Sequence, residues 1–208
     1  MPQERDPHFD ALAEAWERLS KLDPSMLASR AGGSQVAGRN QISLRVLDKD
    51  CLVDLGKRTV DYVDGQPPVI GDLQVILLHY LEGSLRSEPS DKLVSFREFE
   101  GGALYYAAFK SRTIDFLVRT FGQKTDRLQR IGDLLKGERM STGTVGFKVN
   151  FFPKVSVAVV MWLGDEEVPT SANILFDANA GTILPTEDIS HMGGLLCLRL
   201  AELEKSLS

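Results

Sequence analysis

The segment "TVGFKVNFFPKVSVAVVMWLGD", residues 144–165, limits the possible folds more than any other part of the chain. Two β-rich stretches flank Phe152 and Pro153, and the second is almost continuously apolar from Val155 to Leu163. The run is far shorter than the ~18 apolar residues of a membrane helix, and it offers no polar side to water. It therefore predicts a central strand covered on both faces. Such a strand needs neighbours beside it and helices above and below, and the rest of the chain must supply them.

Alternation from Ile42 to Val63, in "ISLRVL", "CLVDL" and "RTVDYV", predicts two or three antiparallel strands, closed by the prolines of "DGQPP", which cannot donate to a ladder. "DKLVSFREFEGG" and "ANILF" predict further strands. Phe9, Leu12, Ala13, Trp16, Leu19 and Leu22 recur at helical spacing, and "DPSMLASRAGG" adds a short helix stopped by Gly32 and Gly33. "DLQVILLHYLEG" is apolar on nearly every side and predicts a helix buried over most of its circumference, with His79 as a satisfied residue within it. A helix over "ALYYAAFKSRTIDFLVRTFG", a second over about Thr125 to Lys136, and a last one from Thr186 follow. In the last, Pro185 precedes a Thr186 N-cap, Glu187 and Asp188 complement the dipole, and Ile189, Met192, Leu196, Leu200 and Leu203 form the inward stripe. The sum is an α+β single domain over residues 1–208, a mixed and mostly antiparallel sheet with helices packed on it.

Composition narrows the function classes. Lys plus Arg number 24 against 29 for Asp plus Glu, and the resulting net charge of −5 opposes general attraction to nucleic acid or to anionic lipid. Arg119, Lys124, Arg127, Arg130 and Lys136 are interleaved with apolar residues and read as a solvated helix face. The 2 cysteines, Cys51 and Cys197, form no C-x-x-C pair, so a disulfide framework or thiolate metal site is not expected. "MPQERDPHFDALAEAW" has no apolar leader core, and a cytoplasmic protein with reduced thiols is the expectation. Neither a G-x-S-x-G elbow nor a phosphate-binding glycine loop accompanies His8, His79 or His191, so no catalytic residue is assigned.

Taken in order, "LLHYLEG", "SFREFEGG" with "ALYYAAF", and "WLGDEEVP", "ANILFDANA" and "LPTEDI" resemble the DUF3786 family of bacterial and archaeal proteins, from "DPSMLASRAG" to the C-terminal helix. The resemblance implies an uncharacterised cytosolic binding or accessory protein with a connection to anaerobic corrinoid or one-carbon metabolism. Some relatives carry an additional cysteine-rich iron–sulfur segment. This chain lacks those cysteines, so the electron-transfer role does not carry over and no cofactor is assigned.

Polar interruptions of the apolar elements supply the candidate site. Asp165, Glu166 and Glu167 end the apolar strand, and Asp177 opens a loop that partly imitates a calcium-binding turn. Asp188 and His191 are three residues apart, a spacing that shares a helix face, and with Asp177 they form the candidate metal set. Arg97, Glu98, Tyr105 and Tyr106 surround Gly101 and Gly102, where a diglycine turn opening a helix could present free amides to an anion. If these corners converge, they bound a pocket for a small molecule. The alternatives are a metal-dependent enzyme built on the carboxylates and an adaptor that docks a protein partner on its acidic turns.

Overall fold

The structure, a computed structural model, describes residues 7–66, 68–86, 88–90 and 92–207, with side chains from residue 12 onward. The expected parts played by the Phe9 side chain, Pro67 and Asp91 fall outside the described residues. The fold is α+β, and its strands divide between two sheets rather than joining in one. Each sheet belongs to its own compact unit. Among the described residues no helix is long and apolar enough to cross a membrane.

The first unit holds α1 (Pro7–Leu19), α2 (Pro24–Ala31), β1 (Ser34–Gln35), β2 (Gln41–Val46), β3 (Lys49–Asp54), β4 (Thr59–Tyr62) and α3 (Asp72–Gly83). The strands pair antiparallel in the order β1-β2-β3-β4. Period-two alternation places Ile42 opposite Val53 and Leu44 opposite Cys51, all four buried, while Arg45 reaches out to pair with Asp50 at 2.9 Å. Asp23 caps α2 by accepting from the Ser25 amide at 3.0 Å, and Gly32 ends that helix at φ 71°, a conformation that favours glycine. The helix α3 buries Val75, Ile76, Leu77, Leu78, Tyr80 and Leu81, the all-round burial its composition predicts. Phe152 and Lys154 belong to this unit. Tyr80 stacks on Phe152 with centroids 4.3 Å apart, donates its hydroxyl to Ala31 O at 2.7 Å and accepts from the Lys154 amide at 3.1 Å. A buried tyrosine thus has both hydrogen-bonding roles filled.

The second unit begins with β5 (Leu93–Ser95) and a 3₁₀ turn at Phe96–Glu98, followed by α4 (Gly102–Arg112), α5 (Ile114–Phe121) and α6 (Thr125–Leu134). Then come β6 (Glu138–Arg139), β7 (Val145–Phe152, its last residue counted with the first unit), β8 (Val155–Trp162), β9 (Ser171–Asp177), α7 (Ala180–Ile183, its last two residues likewise) and α8 (Thr186–Ser206). The sheet runs β5-β9-β8-β7-β6, so the apolar run Val155–Trp162 is its middle strand, and every residue from Val155 to Met161 is buried. The helix α8 buries Ile189, Met192, Leu196 and Leu200, while Leu203, expected in the same stripe, is half-buried. Glu204 near the end of α8 accepts from Lys124, just before α6, and from Arg127 of α6 at 2.8 and 2.9 Å. Part of the basic stretch is therefore a clamp on α8 rather than a purely solvated face.

Two elements differ from the expectation drawn from the sequence. The helix expected through residues 103–122 breaks at Thr113, whose φ −120° and ψ −73° are not helical. Its hydroxyl donates to Phe109 O at 2.6 Å, the local side-chain bond by which threonine competes with the helical ladder. Apolar spacing does not reveal the break, because Phe109 before it and Ile114, Leu117 and Phe121 after it are all buried. At the start of α8 the cap position is Pro185 rather than Thr186, and the Thr186 hydroxyl donates to Glu100 O at 2.8 Å.

The helices α4 and α8 lie side by side in the same direction. Glu100 meets Thr186 at their beginnings, Phe109 lies against Gly193, and further along Thr113 O accepts from the Cys197 thiol at 3.7 Å. Gly193 makes the approach possible, since a Cβ there would stand 2.9 Å from Phe109 Cε2. Burial pushes the Cys197 thiol up to about 12, and burial followed by the Asp50 charge does the same for Cys51, so neither is a ready nucleophile.

Candidate functional site

A cleft of about 260 Å³ opens between α4 and the first turns of α8. Phe96, Tyr105 and Ala108 form its apolar wall, and Arg112, Thr186, Glu187, Ser190 and His191 contribute the polar groups. Helical geometry explains the set. Tyr105, Ala108 and Arg112 follow one another at three and four residues on α4, as do Glu187 and His191 on α8, so each helix presents one stripe to the cleft.

The floor is rigid. Phe96 is buried and stacks on Phe109 with centroids 4.2 Å apart, and Phe109 is tilted against Phe176 of β9 at 6.0 Å. Tyr105 is 65% exposed, so this side of the cleft is open to solvent. Arg112 donates through Nη2 to the buried Ser190 hydroxyl at 3.1 Å, which tethers one corner of the guanidinium to α8. A guanidinium carries five N–H donors, so most remain available. Among the described residues Arg112 and Glu187 take part in no ion pair, although both line the same cleft.

The candidate residues read from the sequence do not all come together. Tyr105 and His191 line the cleft. Arg97, Glu98 and Tyr106 are engaged locally instead. Glu98 accepts from the Ser95 amide at 2.8 Å to close the 3₁₀ turn, and the Arg97 guanidinium lies 3.7 Å from the Tyr106 ring centroid. The diglycine turn presents no open amide at Gly102, which donates to Phe99 O at 2.9 Å. Gly102 is instead demanded by packing, since a Cβ would fall 2.0 Å from Phe96 O.

Asp165 and Asp177 lie at opposite ends of the β8–β9 pair, where Trp162 is registered with Ser171 and Val157 with Phe176. With a rise of about 3.3 Å per residue, that separation is on the order of 20 Å. Asp165 accepts from the amides of Glu167 and Val168, both at 2.9 Å, and these two bonds, that of Val168 foremost, hold its carboxyl below the usual aspartate range. Glu166 and Glu167 are exposed on the same turn. Asp177 is buried and accepts from the Ser90 hydroxyl at 2.6 Å and the Asn179 amide at 2.8 Å, so it organises the β9–α7 corner. Asp188 is buried in the first turn of α8. Among the described residues no group of three or more His, Cys, Asp or Glu side chains is placed to hold a metal ion.

Sequence reasoning passed over Arg112, Ser190, Ala108 and Phe96. The available signal was the small, polar spacing on the outward side of "YYAAFKSR", which a helix covered on that face would not carry.

Fold and cleft together define an α+β protein with a small two-helix recess of mixed polarity. A family model described as a domain of unknown function, DUF3786, matches residues 23–199, and the chain belongs to that family. The match takes in all of α4 and the part of α8 that lines the cleft. No curated protein and no solved structure matches the chain.

Proposed function

We propose that the α4–α8 cleft is a small-molecule site and that the protein works as a binding or accessory protein in the cytoplasm. One observation carries this reading: a concave recess in which an aromatic and aliphatic wall faces a tethered guanidinium, a carboxylate and an imidazole. Apolar walls with a few placed polar groups are the usual composition of ligand sites. The size constrains the occupant. At about 260 Å³ the recess is smaller than the roughly 300–1,000 Å³ typical of drug-sized ligands. The recess is too small to enclose a whole macrocycle such as a corrinoid, and a smaller molecule is the occupant that fits within it.

The test is a thermal-shift screen of small carboxylates, amines, amino acids and phosphates against the native chain and Ala108→Trp, which fills the recess. Hits that raise the melting temperature of the native chain and lose their effect in Ala108→Trp support the site. Hits that survive in Ala108→Trp, or an absence of hits throughout, remove it.

A further inference from the structure

The charge layout of the cleft points to a ligand with two opposite charges, and we infer that the site takes a small amino-acid-like zwitterion with an apolar or aromatic side group. This rests on the reading of the recess as a binding site and adds the chemistry of its occupant.

Arg112 is the positive corner. Its bond to Ser190 leaves the other guanidinium donors for a carboxylate, which they match two at a time. Ser190 is buried, so this tether holds one side of the guanidinium at a fixed point on α8.

Glu187 is the negative corner. It is exposed, lines the same recess and lies three residues before Ser190 on α8. Three residues of helix rise place it about 4.5 Å along the axis from the Arg112 tether. A simple anion would meet Glu187 as a like charge, and a simple cation would meet Arg112 as one. A molecule with a carboxylate at one end and an ammonium a few ångströms away satisfies both at once. The Thr186 hydroxyl donates its proton to Glu100 O and offers a ligand only an acceptor, while the guanidinium and the carboxylate fix the ligand's two charged ends.

The third part of the ligand follows from the wall. Phe96 and Ala108 form an apolar surface, and the 65%-exposed Tyr105 ring stands at the mouth, placed to cover an apolar or aromatic group. Helix dipole alone does not create this preference, because Glu187 and Asp188 already occupy the first turn of α8 and offset its positive end.

The experiment is calorimetric titration with three probes of one shape: phenylalanine, 3-phenylpropionate lacking the ammonium, and phenethylamine lacking the carboxylate. The expected result is that phenylalanine binds most tightly and that loss of either charge weakens binding about tenfold, the value of one charge-assisted hydrogen-bonded contact. Arg112→Gln should weaken phenylalanine and 3-phenylpropionate while sparing phenethylamine, and Glu187→Gln should weaken phenylalanine and phenethylamine while sparing 3-phenylpropionate. If phenylalanine and 3-phenylpropionate bind equally and Glu187→Gln changes neither, the zwitterion inference is overturned. The cleft itself survives that result if Ala108→Trp abolishes both. If none of the three probes binds, the inference also falls, and the fate of the cleft is decided by hits from the wider screen. If Ala108→Trp leaves phenylalanine binding intact, both readings fall together.

Discussion

Adjacent glycines on α8 give a direct test of how α4 and α8 are packed. A Cβ at Gly193 would lie 2.9 Å from Phe109 Cε2 and 3.4 Å from both Phe176 Cζ and Thr113 Cγ2, whereas at Gly194 nothing lies within 4 Å. Both positions are interior to a 21-residue helix, so replacing either glycine by alanine gains the same ~1 kcal/mol of helix propensity. Gly194→Ala should keep that gain. In Gly193→Ala the Phe109 ring would have to retreat by about 0.5 Å to reach ordinary contact. It has no slack, being fully buried, stacked on Phe96 and held against Phe176. Overpacking of a tight core costs about 1–3 kcal/mol. The propensity gain cancels in the comparison, so Gly193→Ala should be less stable than Gly194→Ala by that 1–3 kcal/mol, which for a chain of this size is roughly 2–12 °C in melting temperature. Thermal unfolding followed by circular dichroism, with urea titration as a second measure, reads the gap. Equal stabilities, or Gly193→Ala the more stable of the two, would refute the close approach of α8 to Phe109. Because Phe109 supports Phe96 in the cleft wall, Gly193→Ala should also weaken any ligand that Gly194→Ala leaves unaffected.

Three further outcomes are expected. Tyr80→Phe removes the hydroxyl that satisfies Ala31 O and the Lys154 amide and should cost about 2 kcal/mol in urea unfolding. Glu204→Gln should destabilise the protein at neutral pH, because hydrogen bonds from Lys124 first and Arg127 second hold the Glu204 carboxyl below the ordinary glutamate range. A depressed folded-state value means that this contribution is complete above about pH 4.5 and disappears as pH falls through the lowered value, so native and Glu204→Gln stabilities should converge in acid. Asp165→Ala should speed hydrogen exchange at the Glu167 and Val168 amides it now accepts from and leave binding in the cleft unchanged.

The elements governed by local periodicity were legible in the sequence. The apolar run from Val155 is the middle strand of its sheet, and the Ile189, Met192, Leu196 and Leu200 stripe is buried. The division of strands into two sheets was not legible, because β5 pairs with β9 more than seventy residues later, with Val94 opposite Phe176, and alternation does not say which strand a partner is. The break at Thr113 was hidden because its cause is one hydroxyl bond to Phe109 O, while the apolar pattern runs on through it. The site was legible in part. Tyr105 and His191 are in the recess, but the carboxylates that drew attention, Asp165 and Asp177, spend their oxygens on nearby amides and on Ser90. Short-range hydrogen bonding by aspartate at turns produces the same letters as a binding site. Arg112 escaped notice because its significance depends on Ser190, 78 residues away along the chain.

The central claim is that the α4–α8 recess binds a small amino-acid-like molecule, and a ¹H–¹⁵N chemical-shift titration of the native chain with phenylalanine up to about 10 mM tests it most directly. Saturable shifts at the amides of Tyr105, Ala108, Arg112, Glu187, Ser190 and His191, with the Asp165 turn unmoved, are the predicted result. Shifts centred on the β8–β9 turn, or none that saturate, would contradict the account.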